Sequence, residues 1–143
     1  MKTSEQYPPN YTQILIAFPD LEKHKPIFTY GDTIYNPFKV EITPDLEAHE
    51  AVHTRQQGTF PEVWWNEYIN NLEFRFSQEL EAYGTQLIWL EGIITDSKLM
   101  EWFWDKITGA LSGELYGNML NYGQAKSKLR HFVKNNKIEN GKE

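Results

Sequence analysis

The sequence predicts an α+β fold, in which a small N-terminal β-sheet with a hairpin precedes a mostly helical layer. Residues that favour strands are concentrated before residue 40, whereas helix caps and helical spacing of apolar residues begin at Thr43. A chain of 143 residues, 40% of them hydrophobic, suits one globular domain. We therefore expect a single domain over residues 1–135, followed by a flexible basic tail over residues 136–143.

The predicted strands come from two stretches. The segment YTQILIAF, from Tyr11 to Phe18, is rich in residues that favour strands. In IFTYGDTIYNP, two short runs of β-branched and aromatic residues flank Gly31 and Asp32, a pair typical of a two-residue hairpin turn. We expect these stretches to form the small sheet.

The first predicted helix begins after Thr43 and ends at Gly58. Thr43 suits the N-cap, Pro44 the first helical position and Asp45 the positive end of the helix dipole, while glycine is a common stop. Further helices are expected over residues 61–92 with a bend near 70–71, from about 96–97, and over 121–135. The glycines of TGALSGELYGNML argue against helical continuity between the last two.

Composition excludes several classes of function. The net charge of −6 argues against nonspecific binding to nucleic acid or to an anionic membrane, so neither is an expected partner. No apolar run is long enough to span a bilayer, and the N-terminal segment lacks the apolar region of a secretory signal, which together predict a cytoplasmic protein. Because the chain has no cysteine, any metal must be held by His, Asp or Glu.

The segment PDLEAHEAVHTRQQG contains the pattern H-E-x-x-H at His49, Glu50 and His53. Two histidines four residues apart lie on the same face of a helix, one turn apart, and can bind one Zn²⁺ ion. Glu50 directly follows His49, so it can stand beside the metal without binding it, as a general base must. His24 and His131 have no companion at ligand spacing and are left out of the predicted site.

A third ligand is predicted on the next helix. At 100° per residue, Glu79 falls within the apolar stripe of that helix, whereas Glu81 falls on the opposite side. The stripe consists of Phe76, Tyr83, Leu87 and Leu90. A core-facing carboxylate needs compensation, which a zinc ion would supply. One alternative is an internal salt bridge from Glu79 to Arg75, with histidines that bind no metal. A second is that Glu50 is merely a solvated helix residue.

The combination of HEAVHTRQQG with the later ELEAY resembles the glutamate-type zincins. The stretch from Ile27 to about Arg130 is also similar to small zinc metallopeptidases encoded by tailed bacteriophages. The resemblance implies that His49, His53 and Glu79 bind Zn²⁺ and that Glu50 polarises the attacking water. Tyr83 stands where many membrane-bound relatives have an aspartate, so the resemblance does not name the residue that orients the histidines.

These observations predict a zinc-dependent peptidase or amide hydrolase that acts on a peptide or protein substrate. Tyr83, Arg75 and Tyr116 are candidate donors to the tetrahedral intermediate, and each also has a purely structural interpretation. The strand Thr33–Tyr35 is a candidate for pairing with the substrate backbone.

A noncatalytic phage virion or assembly protein with a structural zinc is the alternative, and a metal-free helical adaptor is the third possibility. The tryptophans are expected in the core, or, in a second interpretation, in a surface that docks to a phage assembly. The expected location is the host cytoplasm or the virion.

Overall fold

A computed structural model describes residues 1–140 and confirms the α+β class. The strands are β1 (Lys2–Ser4), β2 (Phe28–Tyr30) and β3 (Thr33–Tyr35). The helices are α1 (Tyr11–Ala17), α2 (Pro44–Gln57), α3 (Pro61–Asn70), α4 (Leu72–Glu91), α5 (Ser97–Leu111) and α6 (Tyr122–Asn140), with short 3₁₀ helices at Leu21–His24 and Glu114–Tyr116. The chain forms two compact units, Met1–Asn71 and Leu72–Glu143.

The sheet of the first unit has the strand order β1-β3-β2. Strands β2 and β3 form the predicted antiparallel hairpin, and Gly31 in the turn has a φ of 64°, which glycine adopts without strain. Strand β1 pairs with β3 in parallel. Because β3 is central and both of its edges are occupied, the prediction that Thr33–Tyr35 pairs with a substrate backbone is wrong.

The segment from Tyr11 to Phe18 is not a strand, contrary to the prediction. Its first seven residues form α1, which buries Ile14 and leaves Ile16 77% exposed. The buried and half-buried positions lie on one side of the helix, as helical spacing requires, and they are Tyr11, Ile14, Leu15, Ala17 and Phe18. The Tyr11 ring packs edge-on against Phe28, with centroids 5.8 Å apart. This packing outweighs the strand preference of the isoleucines.

The second unit is a layer of three helices, in which α4 packs against both α5 and α6. Its core is formed by Phe76, Leu87, Leu90, Ile107, Leu111, Tyr116, Ala125, Leu129 and Val133. Helices α4 and α6 approach closely at Gly84, where the Cβ atom of any other residue would lie 2.2 Å from Cδ1 of Phe132. A side chain larger than hydrogen therefore does not fit at this position without a shift of the ring.

Most predicted helix ends are confirmed. Thr43 and Gly58 flank α2, and the predicted bend is a break at Asn71, which is extended. Asp96 caps α5 by accepting from the backbone N–H groups of Lys98 and Leu99. The glycine-containing segment that follows α5 interrupts the helices as expected.

Helix α6 continues to Asn140, past the end predicted at about residue 135. Lys137 on its last turns binds the Glu91 carboxylate of α4 at 2.8 Å, and Val133 is buried. These tertiary contacts favour the longer helix over a stop at the asparagines. The predicted flexible tail therefore overlaps α6 up to residue 140, and residues 141–143 lie outside the described part of the chain.

The tryptophans divide between core and surface. Trp64 and Trp65 are buried as predicted, and Trp104 is half-buried. Trp89 and Trp102 are exposed, so the prediction of a core position is wrong for these two. Within residues 1–140, no helix combines the length and apolarity that crossing a membrane requires.

Candidate metal centre

Helix α2 is fixed to the hairpin by two of its own side chains. Gln57 donates from Nε2 to the Thr29 carbonyl at 2.7 Å, and its Oε1 accepts from the Gly31 N–H at 2.7 Å. Thr54 Oγ1 donates to the Gly31 carbonyl at 2.8 Å. Because β2 is an edge strand, its Thr29 carbonyl needs a partner, and Gln57 of α2 supplies one, while the two Gly31 groups lie in the hairpin turn. These bonds set the position of α2 along the hairpin.

Helix α3 packs beside α2 through an aromatic cluster. Trp65 donates from Nε1 to the same Thr29 carbonyl at 3.1 Å, so both helices are tied to one backbone group. The Trp64 ring lies against the His53 ring, with centroids 5.3 Å apart, and Tyr68 stacks on Trp64 at 4.8 Å. Packing against Trp64, which itself stacks on Tyr68, therefore restricts the orientation of the His53 imidazole.

Three side chains of α2 converge in the first unit, as the sequence pattern indicated. One potential donor atom each of His49, Glu50 and His53 lies within 4.8 Å of the other two, and among the described residues no other group of this kind is found. All three residues are buried, with exposed fractions of 6%, 6% and 5%. A cation bound by the imidazoles would stabilise the ionised carboxylate beside them.

The spacing of the two imidazoles fits a shared zinc ion. His49 Nε2 and His53 Nε2 are 3.2 Å apart, and the rings meet at an interplanar angle of 77°. Two histidine nitrogens on one tetrahedral zinc, each at about 2.05 Å, are about 3.3 Å apart. The same distance allows an N–H···N hydrogen bond when no metal is bound. The donor set of imidazole nitrogen and carboxylate oxygen suits Zn²⁺.

The other nitrogen of His53 also has a partner. His53 Nδ1 lies 2.8 Å from Oε1 of Gln56, which is half-buried one turn later on the same helix. Gln56 was not among the residues predicted from the sequence. The sequence could have indicated this contact, because Gln56 follows His53 by three residues and the two side chains therefore lie on one helix face.

The helical-wheel assignment of Glu79 and Glu81 agrees with their burial. Glu79 is buried in the second unit with an exposed fraction of 5%, whereas Glu81 is only half-buried. Tyr116 donates from its hydroxyl group to Glu79 Oε2 at 3.2 Å. The role of Glu79 as a third metal ligand stays a prediction. The bond from Tyr116 was not foreseen, because Tyr116 lies on a distant 3₁₀ helix.

The other predicted catalytic residues also belong to the second unit. Tyr83 is half-buried, and its hydroxyl oxygen lies 3.5 Å from that of Tyr116. Arg75 is buried and donates from Nη1 to the Leu115 carbonyl at 3.0 Å. These bonds give both residues a structural function within their unit, and their role as donors to a reaction intermediate stays a prediction.

The two excluded histidines are exposed on the surface. His24 lies in the 3₁₀ helix Leu21–His24, and His131 on α6 lies 2.9 Å from the side-chain nitrogen of Asn135. Neither belongs to the group of candidate ligands.

Comparison of the chain with known protein families, curated proteins and solved structures gives no match.

Proposed function

We propose that this protein is a zinc-dependent peptidase or related amide hydrolase whose centre lies on α2. The observation that carries the proposal is the buried pair of imidazole nitrogens, 3.2 Å apart, with a buried carboxylate beside them. His49 and His53 would hold the ion. A helix that buries three such groups together on one element suits a metal centre better than a packing surface.

Zinc, when bound in such a centre, supplies a Lewis acid that polarises the substrate carbonyl and makes water more acidic. Glu50 takes a proton from the attacking water as the new C–O bond forms, and it returns that proton to the leaving amine as the C–N bond breaks. This role is supported by the position of the Glu50 carboxylate, which has an oxygen within 4.8 Å of a nitrogen of each imidazole.

The remaining parts of the site are proposed from the sequence. Glu79 would be the third ligand, and Tyr83 or Arg75 would donate to the tetrahedral intermediate. The resemblance to phage zinc peptidases supports a peptide or protein substrate, met in the host cytoplasm or in a phage assembly.

Metal content and turnover test the proposal together. Untagged protein should contain about one zinc per chain, and His49→Ala and His53→Ala should lose it. Glu50→Gln should keep the zinc and lose cleavage of a mixed peptide library, read by mass spectrometry, by at least about a hundredfold. The control Glu47→Gln changes an exposed carboxylate of the same helix and should cleave like the wild type.

Two results would contradict the proposal in different ways. Zinc binding with equal cleavage by Glu50→Gln and wild type would remove the catalytic role of Glu50. Zinc binding without cleavage of any library member by the wild type would favour a structural zinc, as in the alternative of a noncatalytic phage protein.

A further inference from the structure

Two adjacent glutamines on α2 make different contacts. Gln57 is 4% exposed and uses both ends of its amide to hold the hairpin, at Thr29 and Gly31. Gln56 points its Oε1 to Nδ1 of His53 at 2.8 Å. One glutamine therefore fixes the helix, and the other contacts a candidate metal ligand.

We propose that Gln56 is a positioning residue for the metal centre, which holds His53 in the tautomer that can bind the ion. This inference rests on the proposed function. The Gln56 carbonyl oxygen accepts a hydrogen bond from His53 Nδ1–H, so the proton of the neutral imidazole stays on Nδ1. Nε2 then carries the lone pair, and Nε2 is the atom that faces His49 at 3.2 Å.

The chemistry of imidazole makes this control necessary. In the other neutral tautomer the proton sits on Nε2, where it would occupy the position that the metal needs. A histidine ligand usually donates its second ring N–H to a carboxylate, a carbonyl oxygen or water, which fixes the ring and raises the basicity of the ligating nitrogen. An amide oxygen from Gln56 supplies such an acceptor without adding a second charge.

The surroundings of His53 restrict the ring further. Trp64 packs against the imidazole at a centroid distance of 5.3 Å, and His49 meets it almost perpendicularly at 5.0 Å. The ring is thus confined by packing, while Gln56 selects which nitrogen carries the proton. Packing alone does not distinguish the two tautomers, because they have nearly the same shape.

The test compares two replacements of Gln56 in the full chain. Gln56→Leu keeps the size of the side chain but removes the acceptor, whereas Gln56→Glu keeps an acceptor at the same place. In metal-free protein at a pH where His53 is neutral, ¹⁵N NMR of the imidazole should report Nδ1–H in the wild type and in Gln56→Glu. Gln56→Leu should shift the population toward Nε2–H.

Zinc affinity, measured by competition with a chelator, provides the second readout. Gln56→Leu should bind zinc about 10–100-fold more weakly than the wild type, and Gln56→Glu should restore the affinity. A merely structural role would change the melting temperature but leave the tautomer unchanged. Gln57→Leu serves as the control that perturbs the helix anchor without touching His53.

The outcomes separate this inference from the proposed function. Equal zinc affinity of wild type and Gln56→Leu, or an unchanged tautomer in that variant, would overturn the role of Gln56 and leave the zinc centre standing. Failure of the wild type to bind zinc would overturn the proposed function and the positioning role with it. If Gln56→Leu does not fold, loss of Nδ1–H or of zinc affinity in the acceptor-retaining Gln56→Glu would overturn the inference.

Discussion

At the scale of single residues, Gln57 contributes to stability through two buried hydrogen bonds. Gln57→Leu removes the acceptor of the Gly31 N–H and one of the two donors to the Thr29 carbonyl. The Thr29 carbonyl keeps its other donor, Trp65 Nε1. We expect the free energy of unfolding to fall by about 1–3 kcal/mol, because an unsatisfied backbone donor beside the helix costs roughly that much. Urea unfolding measures the change.

A glutamine on the surface provides the control for this prediction. Gln13 is exposed on α1, and Gln13→Leu should change stability by less than about 0.5 kcal/mol. Equal stability of Gln57→Leu and wild type would mean that the hairpin does not depend on the glutamine.

The residues of the candidate site differ in how far the sequence could predict them. His49, Glu50 and His53 were predictable because their spacing on one helix alone determines their proximity. The burial of Glu79 was predictable because helical periodicity places it among apolar neighbours. Tyr116 was not predictable as the partner of Glu79, since the two lie 37 residues apart on separate elements and only tertiary packing joins them.

At the scale of elements, local pattern predicted α2 to α5 well and failed at the N-terminus. The start of α2 at Pro44 and the Asp96 cap of α5 are determined by nearby residues, and both helices begin where predicted, although the Thr43 side chain makes no capping hydrogen bond. The strand prediction for residues 11–18 is wrong because the helical spacing of Tyr11, Ile14 and Phe18 decides the structure here over the strand preference of the isoleucines. Strand β1 was missed because its pairing with β3 joins residues far apart in the sequence.

The packing of α4 against α6 gives a prediction at this scale. Gly84→Ala should lower the free energy of unfolding by about 1–3 kcal/mol, because its Cβ would approach three ring carbons of Phe132 to 2.2–2.9 Å. Relief of the clash requires the ring or the helix to move. Chemical denaturation, followed by circular dichroism, measures the loss.

Gly109 on α5 is the matched control for Gly84. A Cβ atom at Gly109 would have no neighbour within 4 Å, and alanine favours a helix over glycine by about 1 kcal/mol. Gly109→Ala should therefore leave stability unchanged or raise it. If both alanine variants shift stability in the same direction, the close approach of the two helices at Gly84 does not limit side-chain size.

At the scale of the whole molecule, zinc binding should be coupled to the stability of the folded chain. His49, Glu50 and His53 belong to Met1–Asn71, whereas Glu79 belongs to Leu72–Glu143. The sequence predicts that His49, His53 and Glu79 bind one ion, with Glu50 beside it as the general base. Thermal stability can test this, because a ligand that binds only the folded state stabilises it by an amount that rises with the logarithm of the ligand concentration divided by the dissociation constant.

We expect zinc to raise the melting temperature of the wild type relative to protein in EDTA. At a free zinc concentration about 100 times the dissociation constant, the gain in the free energy of unfolding is about 2.7 kcal/mol. His53→Ala should abolish the gain. Glu79→Gln keeps an acceptor for Tyr116 but loses the charge, so it should reduce the gain, whereas Glu81→Gln should retain it. A full gain in Glu79→Gln would show that this carboxylate does not bind the ion, and an equal gain in His53→Ala would exclude the centre on α2 altogether.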